Sequence, residues 1–224
     1  VRPGVPDLYE IMSKYWRGVQ SGKQHFFTEK PIEKNPNVKM TWITQDDYNK
    51  WMKSQGVAKP GGKQFTALVP ELVSGKYTHE RRYTVPVLAP YLPGVSYFPD
   101  SYFADKAVEA IRAPSDKPLL LIATFMSPHP PFDIPEPYYS LVHDSDLTVP
   151  ADVGKWYPDQ SPLQLYQLTG FIGTRYSRAQ WIQIWKKYFG LVKLLDDQVG
   201  KIVSALKAAG LYDKALVIFT ADHG

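Results

Sequence analysis

Three short segments hold residues whose types and spacing could do chemistry. In the last of them, Ala215 to Thr220 is an apolar run of strand length, and Asp222 and His223 follow it. Open α/β sheets place their ligands just past the carboxyl ends of strands. A carboxylate beside an imidazole there offers two kinds of metal ligand, a hard oxygen and a nitrogen. A small divalent cation at that point would neutralise substrate charge and act as a Lewis acid. Two ligands do not complete a metal site, so others must come from elsewhere. A plain Asp-His-Gly turn with a capping aspartate is the alternative.

The segment Ser21-Gly-Lys-Gln-His-Phe26 places Lys23 and His25 two residues apart. In extended chain such residues share a side. A fixed cation beside a titratable imidazole suits an anionic substrate. Lysine would hold the anion, and histidine would pass a proton or orient a nucleophile. A surface lysine near a structural histidine fits the same pattern. In Ser127-Pro-His-Pro-Pro-Phe132, prolines on both sides restrict the backbone around His129. An imidazole held in this way could donate to a developing negative charge without reorganising. A loop histidine in a rigid turn is the alternative. His79 and His143 fall in loop-like sequence and read as solvated or structural.

These residues need elements to position them. Tyr9 to Ser21 reads as a short helix, then a strand around Trp16 to Gln20. Thr44 with Asp47 makes a capping box, followed by Tyr48, Trp51 and Met52 at helical spacing and Gly56 as a stop. The rest of Phe26 to Tyr97 reads as long surface loops. Asp100 or Ser101 is expected to cap a helix with an apolar stripe of Phe103, Ala107, Ala110 and Ile111. Leu119 to Met126 is continuously apolar and reads as a central strand buried on both faces. Ser127 to Pro137 must be extended, and Tyr138 to Tyr176 is a long irregular excursion. Ser177 and Gln180 make a second capping box, opening a helix from Arg178 to Ala209. In that helix Gly190 and Gly200 mark bends or close packing. Gly210 stops it, and Ala215 to Thr220 returns as a second central strand. A helix leading into a buried strand, twice over, predicts an α/β/α domain with a largely parallel central sheet and right-handed crossovers.

Composition narrows the chemistry. The chain has no cysteine, which excludes disulfides, zinc-thiolate sites and a cysteine nucleophile within these 224 residues. A formal net charge of +4 fits a mildly basic surface or a basic pocket for an anion. No Lys/Arg cluster is dense enough to argue for nucleic acid. The longest apolar stretch, Leu119 to Met126, is too short to span a bilayer.

Taken in this order, the three segments resemble the sulfatase family of the alkaline phosphatase superfamily. Gly18-Val-Gln-Ser-Gly-Lys-Gln-His25 is similar to the family's Gly-Lys-x-His segment. Tyr102 to Ile111 and Pro118 to Pro137 resemble its helix, strand and Pro-His-x-Pro loop. Tyr188 to Gly200, the Gly210-Leu-Tyr-Asp213 turn and Thr220-Ala-Asp-His-Gly224 resemble its long helix and Asp-His-Gly end.

The resemblance implies an alkaline phosphatase-like fold. It also implies hydrolysis of a small-molecule or saccharide sulfate monoester through a metal-assisted covalent mechanism. Asp222 and His223 would ligate one divalent metal ion, in the family usually calcium, otherwise manganese or magnesium. Lys23 and His129 would bind the sulfate oxygens, and His25 would contact the nucleophile. The family's nucleophile is a formylglycine made within a Cys/Ser-x-Pro-x-Arg segment upstream of the lysine motif. No such segment occurs here. The chain is therefore expected to be one sulfatase-type domain, residues 1–224, incomplete at both ends and inactive alone. Asp-His in place of Asp-Asn also fits the superfamily's phosphonate monoester and phosphodiester hydrolases, the alternative reading. A non-catalytic carbohydrate-binding relative, using aromatics around Trp42, Trp51, Trp156 and Tyr157, is the alternative of a different class.

Overall fold

The structure is a computed structural model. It describes residues 5–24, 31–73, 76–153, 155, 157–159 and 176–221, with backbone alone for 71–73 and 76–79. The chain divides into two compact units. One comprises Val1–Trp51, Pro99–Met126 and Asp196–Gly224; the other comprises Met52–Phe98 and Ser127–Leu195.

The first unit is built on a three-stranded parallel sheet of β1 (Arg17–Gly22), β2 (Met40–Ile43) and β6 (Leu119–Thr124), in the order β2-β1-β6. Strand alternation sends successive β1 side chains to opposite faces. On one face Gln20 meets Tyr9 of α1 (Leu8–Met12). On the other, Ser21 donates to the carbonyl of Phe103 in α3 (Pro99–Arg112) at 2.8 Å. The sheet is thus covered on both sides. Tyr9, Ile32 and Val38 pack with Trp42 and Ile122 against one face. On the other, Val108 and Ile111 of α3 pack with Leu119 and Leu121. The same cluster takes in Ala205 and Ile202 of α4 (Arg178–Ala208). This is the expected α/β fold class.

Asp7, which the sequence reading did not single out, caps α1 by accepting from Glu10 N–H at 2.8 Å. Three local expectations hold. Thr44 and Asp47 form the reciprocal bonds of a capping box at the start of α2 (Gln45–Ser54). Ser177 and Gln180 do the same at α4. Gly190 is a close approach: a Cβ there would lie 2.2 Å from the carbonyl oxygen of Tyr138.

Four expectations are corrected. Ala215 to Thr220 forms no strand; Leu216, Val217, Ile218 and Phe219 are 88%, 54%, 76% and 78% exposed. Strand propensity measures fit to a pleated, half-buried surface, and a run without a ladder partner cannot realise it. Leu119 to Met126 is a strand only to Thr124, half-buried at the edge of the described sheet; the central strand is β1. The polar Gln20 and Ser21 disguise β1 in the sequence, yet both are buried because both are hydrogen-bonded. Asp100 and Ser101 do not cap α3. The helix starts at Pro99, whose fixed φ suits the first helical position. Lastly, the stretch read as surface loops contains an antiparallel hairpin, β3 (Thr66–Val73) with β4 (Lys76–Thr84). Pro70 and the Glu80-Arg81-Arg82 run mask its alternation, and a bulge interrupts its register between Glu71 and Leu72. His79 therefore lies in a strand, not a loop.

In the second unit, β5 (Leu88–Pro90) pairs in parallel with β7 (Phe132–Ile134). Its core joins Tyr91, Phe98, Phe132, Ile134 and Tyr138 to Ile184, Leu191 and Leu194 of α4.

Candidate functional site

Lys23 stands immediately past the carboxyl end of β1, the middle strand. The approach to it is tightly built. Gly22 has φ +118°, and a Cβ there would fall 1.7 Å from the Thr124 carbonyl oxygen. Only glycine allows this backbone and this contact. The last β6 residue then grips the lysine's own backbone. Thr124 Oγ1 donates to the Lys23 carbonyl at 2.6 Å, and Lys23 N–H donates to the Thr124 carbonyl at 3.4 Å. The same hydroxyl accepts from Gln20 Nε2 at 2.9 Å, while Gln20 Oε1 accepts from the Tyr9 hydroxyl at 3.1 Å. Burial, with Asp7 and Glu33 nearby, pushes the Tyr9 hydroxyl up to about 12, so it stays a donor at ordinary pH. Asp100, fully buried, accepts from Met126 N–H at 2.7 Å and so pins the chain where it leaves β6.

His129 belongs to the second unit. It is exposed, and its Nδ1 lies 2.5 Å from the Pro130 carbonyl oxygen. A carbonyl only accepts, so Nδ1 carries the proton and Nε2 is left for a ligand. The peptide bonds before Pro128 and Pro131 are cis. The segment that follows is anchored several times. Asp133 accepts from Gly61 N–H at 2.9 Å, and Tyr91 N–H donates to Ile134 O at 2.8 Å. Burial raises the Asp133 carboxyl above the usual range, and the Gly61 N–H opposes that rise. Lys187 of α4 bonds the Tyr139 carbonyl and sits 3.5 Å from the centre of that ring. Burial, then the neighbouring Lys186, lowers the Lys187 ammonium, and Glu136 opposes this. A cavity of about 770 Å³ adjoins His129.

Of the five residues singled out for chemistry, Lys23 and His129 are placed as above. His25, Asp222 and His223 lie outside the described residues. Among the described residues, no three His, Asp or Glu side chains come together as a metal cluster. Asp222 and His223 offer one carboxylate and one imidazole. That donor set accepts a divalent cation only with further oxygen ligands. Two of the aromatics considered for sugar binding pack on other rings of the fold. Trp42 packs on Tyr9 at 5.5 Å, and Trp51 on Tyr102 at 5.0 Å between ring centres. Trp156 lies outside the described residues, and Tyr157 is exposed.

The sequence reading missed Tyr9, Gln20, Thr124 and Asp100 as supports of the site. The available signal was the polar Gln20-Ser21 pair inside an apolar strand, directly before Gly22-Lys23.

A sequence model of the sulfatase family matches residues 16–224. The chain belongs to the sulfatase family. This sulfatase chain is 31% identical over 143 residues to the multifunctional alkaline phosphatase superfamily protein PehA of Trinickia caryophylli, covering 57% of this chain and 27% of that one. It is 25% identical over 128 residues to an arylsulfatase of Clostridium perfringens, covering 56% and 26%. With human iduronate 2-sulfatase it shares 26% identity over 144 residues, covering 56% and 26%. The chain thus spans about a quarter of the length of these curated relatives. In structure it is similar to a phosphonate monoester hydrolase from Silicibacter pomeroyi, with TM-score 0.63 and 18% identity, over 95% of this chain and 46% of that one. That likeness shows the alkaline phosphatase-like fold. No described helix of the sulfatase chain is long and apolar enough to cross a membrane.

Proposed function

We propose that this chain carries the anion-binding side of a sulfatase-type active site, within a protein that hydrolyses sulfate monoesters. The observation that carries the reading is Lys23, placed past the end of the central parallel strand by Gly22 and held there by Thr124. Strand ends of this kind are where α/β hydrolytic sites assemble. Family membership supports the ester class. In this reading the Lys23 ammonium and the His129 imidazole bind sulfate oxygens, and both groups are already in place as negative charge shifts to the leaving group. His25 orients or relays a proton to the nucleophile. Asp222 and His223 hold one divalent cation, calcium in the first instance, which when bound supplies charge neutralisation and Lewis acidity.

The test uses the full-length protein and 4-nitrophenyl sulfate. Lys23→Ala or His129→Ala should lower turnover by about 10²–10³-fold, the usual loss when one charge-stabilising donor is removed. Undiminished turnover in both variants would remove these roles. A second reading, a phosphonate monoester or phosphodiester hydrolase, is supported by the Asp222-His223 pair and by the similarity to a relative named as multifunctional. A kcat/KM preference for phenyl phosphonate monoesters over aryl sulfates would select it.

A further inference from the structure

Helix α4 carries Trp181, Trp185 and Phe189 at four-residue spacing, with Ile184 and Tyr188 between them. Residues three and four apart share one helix face. All five line the cavity of about 770 Å³ that also takes in Phe132, Tyr83 and His129. The rings are set edge to face: Trp185 with Phe189 at 6.1 Å and 68°, Tyr188 with Phe189 at 5.7 Å and 86°. Tyr188 and Phe189 nevertheless remain 43% and 39% exposed, so this face is not closed by the described residues.

The chemistry of the lining restricts what it can hold. Among the described residues, it contains no carboxylate, carboxamide, lysine or arginine. Its polar groups are His129, Thr84, two phenols and two indole N–H groups. A sugar ring would bury several hydroxyls here against too few partners, and each unpaired polar group costs about 1–3 kcal/mol. Flat apolar rings meet no such cost and gain offset or edge-to-face contacts. The volume lies within the range of about 300–1,000 Å³ that holds drug-sized ligands, well beyond one phenyl ring.

We propose that this cavity is the subsite for the ester's leaving group, and that the leaving group is an uncharged, fused-ring aromatic or similarly flat multi-ring alcohol. The proposal rests on the reading that His129 binds the anion. The leaving group is joined to that anion through the bridging oxygen, so it must lie beside His129, where the aromatic wall begins. Hydrolysis cleaves the bond between sulfur and that oxygen, water supplies the replacing oxygen, and the ring leaves as its alcohol.

The test measures binding of 2-naphthol, which has no sulfate, to the 224-residue chain by quenching of tryptophan fluorescence. Saturable binding is expected, weakened at least tenfold by Trp185→Ala and by Thr84→Trp, which fills the cavity from an exposed position. Tyr188→Ser, also exposed, should weaken it severalfold with the circular dichroism spectrum retained. N-acetylglucosamine should not compete. No saturable binding, binding indifferent to all three folded variants, or competition by the sugar would overturn the proposal. A parallel titration with 2-naphthyl sulfate separates it from the sulfatase reading. If naphthol binds as expected but the sulfate adds no affinity that His129→Ala removes, the anion role of His129 fails and the assignment of the cavity to the leaving group falls with it, whereas lost naphthol binding overturns the aromatic site itself.

Discussion

Tyr9 and Lys23 are linked by a chain of hydrogen bonds. The Tyr9 hydroxyl donates to Gln20 Oε1, Gln20 Nε2 donates to Thr124 Oγ1, and Thr124 donates to the Lys23 carbonyl. The links span 2.6 to 3.1 Å and sit in or at the edge of the core, where an unmade bond is expensive. The lysine backbone is thereby tied to a helix on one face of the sheet. Thr124→Val keeps the shape and removes the hydroxyl. It should leave Gln20 Nε2 without its Thr124 acceptor and the Lys23 carbonyl without its donor, costing about 1–3 kcal/mol in urea unfolding. In the active protein kcat should fall severalfold with KM less affected, because Thr124 positions Lys23 and touches no substrate. Thr124→Ser should restore most of both. A Thr124→Val protein as stable and active as the wild type would break the link.

Gly22→Ala tests the same turn from the backbone. The methyl group would overlap the Thr124 carbonyl, and φ +118° is itself strained for any residue with a Cβ. Something must move, and Lys23 is the next residue. We expect a loss above about 3 kcal/mol, at the upper end for a single substitution. Gly56→Ala is the control. It also has positive φ, but no atom lies within 4 Å of its Cβ, so its cost should be smaller. Equal costs at the two positions would show that the contact with Thr124 does not matter.

Which parts of this were legible in the sequence follows from what each signal reports. Helices α2 and α4 were readable because capping side chains and apolar spacing are local, as with Thr44-Asp47 and Ser177-Gln180, and α3 was readable from its apolar stripe although its expected caps were not used. The backbone placement of Lys23 past a strand end and of His129 in a proline-bound loop was readable because glycine and proline mark unusual backbone beside them. The sheet was harder. Leu119 to Thr124 looked central because it is apolar, whereas β1 is central because Gln20 and Ser21 find partners 11 and 82 residues away. Such pairings are set by tertiary contact and leave no periodic trace. The apolar run at Ala215 to Thr220 shows the converse: a strong strand pattern stays unpaired where no ladder accepts it.

Asp133 makes stability depend on pH in a stated direction. Burial raises its carboxyl, so the folded protein favours the protonated form. A group raised in the folded state contributes fully below its unfolded value, about 3.9, and that contribution is lost as pH rises through the raised value. Asp133→Asn keeps an oxygen for the Gly61 N–H and carries no charge to bury. Relative to wild type, the variant should therefore gain stability as pH rises above about 3.9, the gain levelling off once pH has passed the raised value. Urea midpoints across that range measure it. A variant that loses ground to wild type with rising pH would show that the Gly61 bond outweighs burial.

The 224-residue chain alone should show no sulfate-ester turnover. It contains no cysteine and no Ser-x-Pro-x-Arg segment, so it lacks the residue from which the family's nucleophile is made. It retains Lys23 and His129, so it should still bind an aryl sulfate in competition with inorganic sulfate. Its metal affinity should be weak, since calcium usually takes six to eight oxygen ligands and Asp222 supplies one carboxylate. Calorimetric titration with calcium should therefore show no site tighter than the millimolar range, the order expected of an under-liganded extracellular-type site. Adding saturating calcium should not produce turnover of 4-nitrophenyl sulfate. Turnover that survives purification to homogeneity and disappears in Lys23→Ala would mean that a nucleophile of another kind resides within these residues.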